Sequence, residues 1–184
     1  MHIIIGLGNP GKEYTTTWHN VGFLVLDMLG STTWKEGTDK NALLQKIKHP
    51  AAGNIILAKP TTFMNNSGIA AQHLLAYYKA TPEELIVVHD DIDLPLGTLR
   101  ISQGASAGGH RGVQSVIDHT SQQGLVRVRV GIRPATMNVP TDVYVLQKIP
   151  KNDMVAVQDS ITKSVAAIHA ILEDGIVEAM NQFN

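Results

Sequence analysis

Short runs of Ile and Val alternate with segments of helical spacing along this chain, and that alternation limits its fold more than any other feature. Runs rich in β-branched residues mark strands at His2–Leu7, Leu44–Lys48, Asn54–Ala58, Leu85–His89, Thr98–Ile101 and Val126–Ile132. Val21, Leu24, Val25, Met28 and Leu29 recur with helical period and stop at Gly30, a natural C-cap. Helical patterns also cover about Asn65–Tyr78, Gly109–Asp118 and Asp153–Leu172. In the last of these, Val155, Ile161, Val165, Ile168 and Leu172 mark the expected buried stripe. Strands interleaved with helices predict an α/β fold: a mixed, largely parallel twisted sheet flanked by helices on both faces. Thr33–Asn41 and Ala135–Thr141 read as loops, and neither has the composition of an interdomain linker. Residues 1–184 are therefore expected to form a single domain.

Composition removes several chemistries. There is no Cys, so disulfides, thiolate catalysis and Cys-ligated zinc are excluded. The longest apolar runs are too short to cross a bilayer, and the N-terminus has no basic region followed by an apolar stretch. No membrane partner and a cytoplasmic location are expected. The net charge of −1 hides an asymmetry. Residues 1–95 net −2 and residues 137–184 net −3, whereas residues 96–136 net +4. Every arginine of the chain, Arg100, Arg111, Arg127, Arg129 and Arg133, falls in that central window. Guanidinium suits forked contacts to phosphate, so the window reads as a polyanion footprint, or alternatively as five clustered surface arginines.

After the first strand comes Gly6-Leu7-Gly8-Asn9-Pro10-Gly11, a formal match to the dinucleotide fingerprint, with Asp27 at a tolerable distance for a ribose contact. That fingerprint needs a helix starting within the glycines. Here Lys12-Glu13-Tyr14-Thr15-Thr16-Thr17 follows, a poor helix former, and Asp27 falls inside a later helix. No nicotinamide or other cofactor is expected. The glycines instead suit a tight turn, stiffened by Pro10, that presents the donor and acceptor of the Asn9 amide.

His19 lies at the start of the helix ending near Gly30, where the dipole favours a neutral ring able to accept a proton. Its candidate partner is in His89-Asp90-Asp91-Ile92-Asp93, which follows a buried-looking strand. Ligands of α/β sheets gather at the carboxyl ends of strands, where one of these carboxylates can orient His19. The alternatives are an acidic turn or a divalent-metal site; with no second acidic cluster, no metal is assigned. Pro60-Thr61-Thr62-Phe63-Met64-Asn65-Asn66-Ser67-Gly68 presents a further Asn after a strand. Ala107-Gly108-Gly109-His110-Arg111-Gly112 is a glycine-rich entry to a helix whose free N–H groups can face an anion. No Ser sits in a GxSxG elbow, so a serine esterase lacks its nucleophile.

Taken in order, GLGNPG with Tyr14, WHNVG, KPTTFMNNSG, HDDIDLPLG, GGHRG and VRVRVGIRP resemble bacterial-type peptidyl-tRNA hydrolase along nearly the whole chain. The resemblance implies hydrolysis of the ester joining a peptide to the terminal ribose of tRNA, a mixed sheet between helices, and a monomer without cofactor. By position it implies that His19 is the catalytic base and Asp90 its orienting carboxylate. Asn9 and Asn65 would grip the peptide beside the ester, Tyr14 and Met64 would line the cleft, and Arg129 would meet a tRNA phosphate. Two residues depart from the family pattern. Arg111 replaces an Asn, trading a donor and acceptor for donors alone, and is expected to turn toward phosphate or Asp90. Ser102 stands where many members have a phosphate-binding Lys, which Arg100 on the same strand face could replace. The rival implied by the same resemblance is a non-catalytic relative that binds RNA or a protein partner.

Overall fold

Four parallel strands form the centre of the protein in the computed structural model, which describes every residue except Thr32, Asp39 and Gln123. They are β1 (Ile3–Gly6), β4 (Gly53–Pro60), β5 (Leu85–Pro95) and β7 (Val126–Arg133). β2 (Lys35–Glu36) and β3 (Ala42–His49) extend one edge in antiparallel fashion, and β6 (Leu99–Gln103) extends the other. The order is β2-β3-β4-β1-β5-β7-β6. β1 is buried throughout because it lies between β4 and β5 with both faces covered. Alternation sends Ile4 into one apolar cluster and Ile3 and Ile5 into the other.

The Ile4 side packs against α1 (Val21–Leu29), α5 (Met154–Asp174) and α6 (Ile176–Phe183). The opposite side packs against α2 (Ser67–Tyr78) and α3 (Arg111–Thr120). A single turn, α4 (Thr141–Tyr144), follows the Ala135–Thr141 loop. The expected α/β sheet with helices on both faces is thus the observed one. Among the described residues no helix is long and apolar enough to cross a membrane.

Three local expectations need correction. Val155 is 72% exposed and is not in the buried stripe of α5. That stripe runs through Val157, Ser160, Ile161, Ser164, Ile168 and Ile171. Ser160 and Ser164 are tolerated there because each hydroxyl donates to the carbonyl four residues back. β2 lies within the segment expected to be a loop, Thr33–Asn41, of which Asp39 lies outside the described residues. Finally, β5 does not stop with its apolar run. Its ladder to β7 continues through His89↔Arg129, Asp90↔Val130 and Asp91↔Gly131, which puts the acidic cluster on a paired strand instead of a turn.

The glycines of the first turn are needed for close packing. A Cβ on Gly6 would lie 2.4 Å from the Gly22 carbonyl oxygen, so this glycine lets α1 rest directly on β1. Gly8 is capped by the Phe23 ring in the same way, at 2.8 Å. Asp27 is meanwhile engaged by Trp34 Nε1 at 2.7 Å and by Lys59 Nζ.

Candidate active site

Side chains from four separate segments converge on a cleft of about 660 Å³ lined by His19, Asp90, Asn9 and His110, among others. His19 sits in a 3₁₀ turn, Trp18–Asn20, immediately before α1. Its backbone N–H donates to the Val145 carbonyl at 2.9 Å, and Trp18 stacks on Tyr144 with ring centroids 5.4 Å apart. Tyr144 in turn donates its hydroxyl to the Ile132 carbonyl. The turn bearing His19 is therefore clasped by a segment more than a hundred residues away.

Asp90 is the anchor of the site. It is 2% exposed, on the rigid β5 ladder, and His19 Nδ1 lies 2.9 Å and 3.0 Å from its two oxygens. His110 Nε2 lies 3.0 Å from Oδ1. His110 is the N-cap of α3, and its Nδ1 accepts the Val113 N–H. That acceptor role puts the His110 proton on Nε2, which donates to Asp90. Burial by itself would raise the Asp90 carboxyl. The positive charge that His19 and His110 take on when protonated, together with their hydrogen bonds, outweighs it and holds the group well below the usual carboxylate range. With Nδ1–H given to Asp90, His19 Nε2 carries the lone pair into the cleft.

The ligand atoms of His19, Asp90 and His110 lie close enough together to suggest a metal. The donor set speaks against one. A ligating imidazole needs a lone pair aimed at the ion, whereas His110 Nε2 carries a proton aimed at Asp90.

The Asn9 turn is built with equal definition. Asn20 accepts the Asn9 N–H and returns its amide to the Asn9 carbonyl, both at 2.9 Å. Asn9 Oδ1 accepts the Met64 N–H at 2.8 Å. The acceptor expected of this side chain is thus already used, and Nδ2 alone is left to donate into the cleft. Asn65 lines the cleft from an exposed 3₁₀ position, and its side-chain amide has no hydrogen-bond partner among the described residues. Tyr14 also lines the cleft, and Met64 is packed tightly beneath it, its Sδ 2.3 Å from where a Cβ on Gly112 would lie.

The arginines divide. Arg111 is exposed at the cleft rim and does not bond Asp90, whose oxygens are taken by the two histidines. Arg129 lies outside the cleft lining, and its Nε donates to Asp91 Oδ2 at 2.6 Å. Arg100 is its exposed cross-strand neighbour, so the two share a face. Arg127 is 2% exposed and is no part of a surface footprint. Ser102 faces it across the strands.

Sequence reasoning passed over His110 and Asn20. His110 was visible only as a letter in GGHRG, because its partner is twenty residues away on another strand. Asn20 follows His19 directly, and nothing local reveals that it braces the Asn9 turn.

Comparison with known proteins converges on one family. A family model described as peptidyl-tRNA hydrolase matches residues 3–184. A protein of that name from Oceanobacillus iheyensis is 41% identical over the full length of both chains. One from Aquifex aeolicus is 42% identical, covering 99% of this chain and 95% of the relative. The crystal structure of peptidyl-tRNA hydrolase from Acinetobacter baumannii superposes with a TM-score of 0.90 at 28% identity, over 100% of this chain and 94% of that one.

Proposed function

The chain belongs to the peptidyl-tRNA hydrolase family and hydrolyses the ester between peptide and tRNA, and from that premise we propose that His19 is its general base and Asp90 the carboxylate that orients it. The observation that carries this reading is the buried Asp90 held between two imidazoles, with His19 Nε2 open to the cleft. Nε2 takes a proton from water as the water oxygen attacks the ester carbonyl carbon. Asp90 offsets the charge that grows on the ring. The carbonyl π pair moves onto oxygen, where Asn9 Nδ2 and the Asn65 amide can donate to it or to the neighbouring peptide group. Collapse expels the ribose oxygen, which takes the proton back from His19. An ester needs less activation than an amide, so the residues suffice without a metal.

Tyr14 and Met64 shape the wall of the cleft. Arg129, steadied by Asp91 and paired in face with Arg100, serves as a contact to tRNA phosphate. Arg129→Ala should raise KM more than it lowers kcat, with short esters that lack the tRNA body unaffected. Equal losses on both substrates would make Arg129 structural. Arg111, exposed at the rim, faces anionic parts of the substrate. Arg111→Asn restores a hydrogen-bond acceptor there and should raise kcat several-fold; an unchanged kcat would make it a bystander. The protein acts as one domain, a monomer of the cytoplasm. Cleavage of N-blocked aminoacyl-tRNA by the purified enzyme, with His19→Ala as control, tests the whole reading. Near-normal turnover by that variant would overturn it.

A further inference from the structure

Arg127 is buried on β7 and makes no salt bridge to a carboxylate among the described residues. Its Nη1 donates to the Ser106 carbonyl at 3.0 Å, while Nε and Nη2 have no acceptor among the described residues. A guanidinium with two unsatisfied donors is costly to bury, and an apolar side chain of similar volume would serve packing better. Burial and then the neighbouring charge of Arg129 both press against its protonated form. Its value to the protein therefore lies in the one bond it makes.

That bond holds a segment with little rigidity of its own. Gly104, Gly108 and Gly109 have φ of 73°, 57° and 78°, conformations open chiefly to glycine, and glycine gives the segment many alternatives. Ser106 lies between them. Directly after Ser106, the Ala107 carbonyl accepts the His110 N–H at 3.0 Å, and His110 Nε2 reaches Asp90. A line of contacts thus runs from β7 through Ser106 to the carboxylate of the site.

We infer that Arg127 is a positioning residue for His110, fixing the 104–110 segment at Ser106 so that the imidazole meets Asp90. His89 supports the arrangement from below. Its Nδ1 donates to the Asp90 carbonyl at 2.7 Å, and its ring stands edge-on to His110 at 4.8 Å. Burial first of all, and the Arg127 charge with it, keep His89 neutral, so it does not compete with His110 for the Asp90 carboxylate.

The inference rests on the proposed site, and a double-mutant cycle separates the two. Arg127→Met keeps side-chain bulk and removes both the donor and the buried charge. It should leave the melting temperature unchanged or raised while lowering kcat by roughly tenfold, within the range of coupled neighbours. KM for N-blocked aminoacyl-tRNA should stay within about twofold of wild type, because a buried residue makes no phosphate contact. In a His110→Ala background the same substitution should cost nothing further. Arg127→Lys, which keeps a donor for Ser106, should recover part of the rate, and it carries the test if the Met variant fails to fold. Equal losses in both backgrounds, or a loss confined to KM, overturn the inference alone. A fully active His110→Ala variant also overturns the inference alone, whereas near-normal turnover by His19→Ala overturns the proposed site.

Discussion

Among the described residues, two clusters of two histidines and one carboxylate lie at different places in the fold, and their burial differs in a way that suits one of them to proton transfer. In the cleft, His19 and His110 converge on Asp90, which is buried on a central strand. In the other cluster, His49 at the end of β3 meets His169 and Glu173 on α5. There His49 Nδ1 accepts the Ala51 and Ala52 N–H groups, which leaves its Nε2 proton to donate to His169 at 2.9 Å. Both nitrogens of the buried ring are spent on structure, and the carboxylate is the exposed member. The composition is the same and the burial is inverted. A buried carboxylate leaves an imidazole nitrogen available to substrate; a buried imidazole makes a fastener between the β3–β4 hairpin and α5.

The largest difference should appear when the carboxylates are neutralised in parallel. Asp90→Asn should lower kcat by roughly 10²–10³-fold, as removal of a general base's support does, whereas Glu173→Gln should leave turnover unchanged. A comparable loss from Glu173→Gln would erase the distinction. Metal dependence gives the next contrast. Because His49 and His110 each accept backbone N–H groups at Nδ1, neither offers a lone pair at Nε2. EDTA should therefore leave turnover unchanged, and added zinc should not raise the melting temperature. A zinc-dependent rise would show that one of these rings changes tautomer to take the ion.

Acid sharpens the comparison from the side of stability. His89, beside the cluster in the cleft, is neutral when folded because its value is depressed by burial, whereas the unfolded chain takes up a proton at the ordinary histidine value of about 6.5. The unfolded state then binds more protons, so stability falls as the pH drops from about 7 to 5. His89→Asn should flatten that slope in melting curves, and an unaltered slope would mean that His89 is charged in the fold. Asp90 acts lower. Its depressed carboxyl contributes stability that is present above about pH 4 and lost as the pH falls further toward its folded value. The smallest effect on activity belongs to the fastener. His49→Ala should spare kcat while costing about 1–3 kcal/mol through the N–H groups it leaves unmet, a melting point lower by roughly 3–10 °C.

What could be read in advance follows from whether the cause is local. The strands around Ile3–Ile5 and Leu85–Val88 were legible because a run buried on both faces must be apolar throughout. His19 and Asn9 were legible as candidates through the turns that display them, and the acidic cluster through its place after an apolar strand, while the resemblance singled out Asp90 within it. Family resemblance added Asn65, Tyr14, Met64 and Arg129. His110 and Arg127 were not, because a single histidine or arginine says nothing about a partner twenty or more residues away on another element. Arg127 counted as a surface charge until β6 and the 104–110 segment enclosed it. The serines of α5 hid its true stripe, since a hydroxyl bonded to its own helix packs as an apolar group would. The α6 helix, eight residues directly after Gly175, is too short to declare a period beside its long neighbour.

The clasp around His19 also sets an order of events during synthesis. Thr16 and Trp18 are bonded by Ile149 and Gln147, and β1 cannot be flanked on both sides until β4 and β5 exist. A ribosome translating this message therefore exposes His19 early, but the turn that holds it is complete only when residues near 149 have emerged. Nascent chains shorter than that carry His19 and Asp90 without a working site. The cleft is thus completed only after β7 and the segment that follows it have left the ribosome.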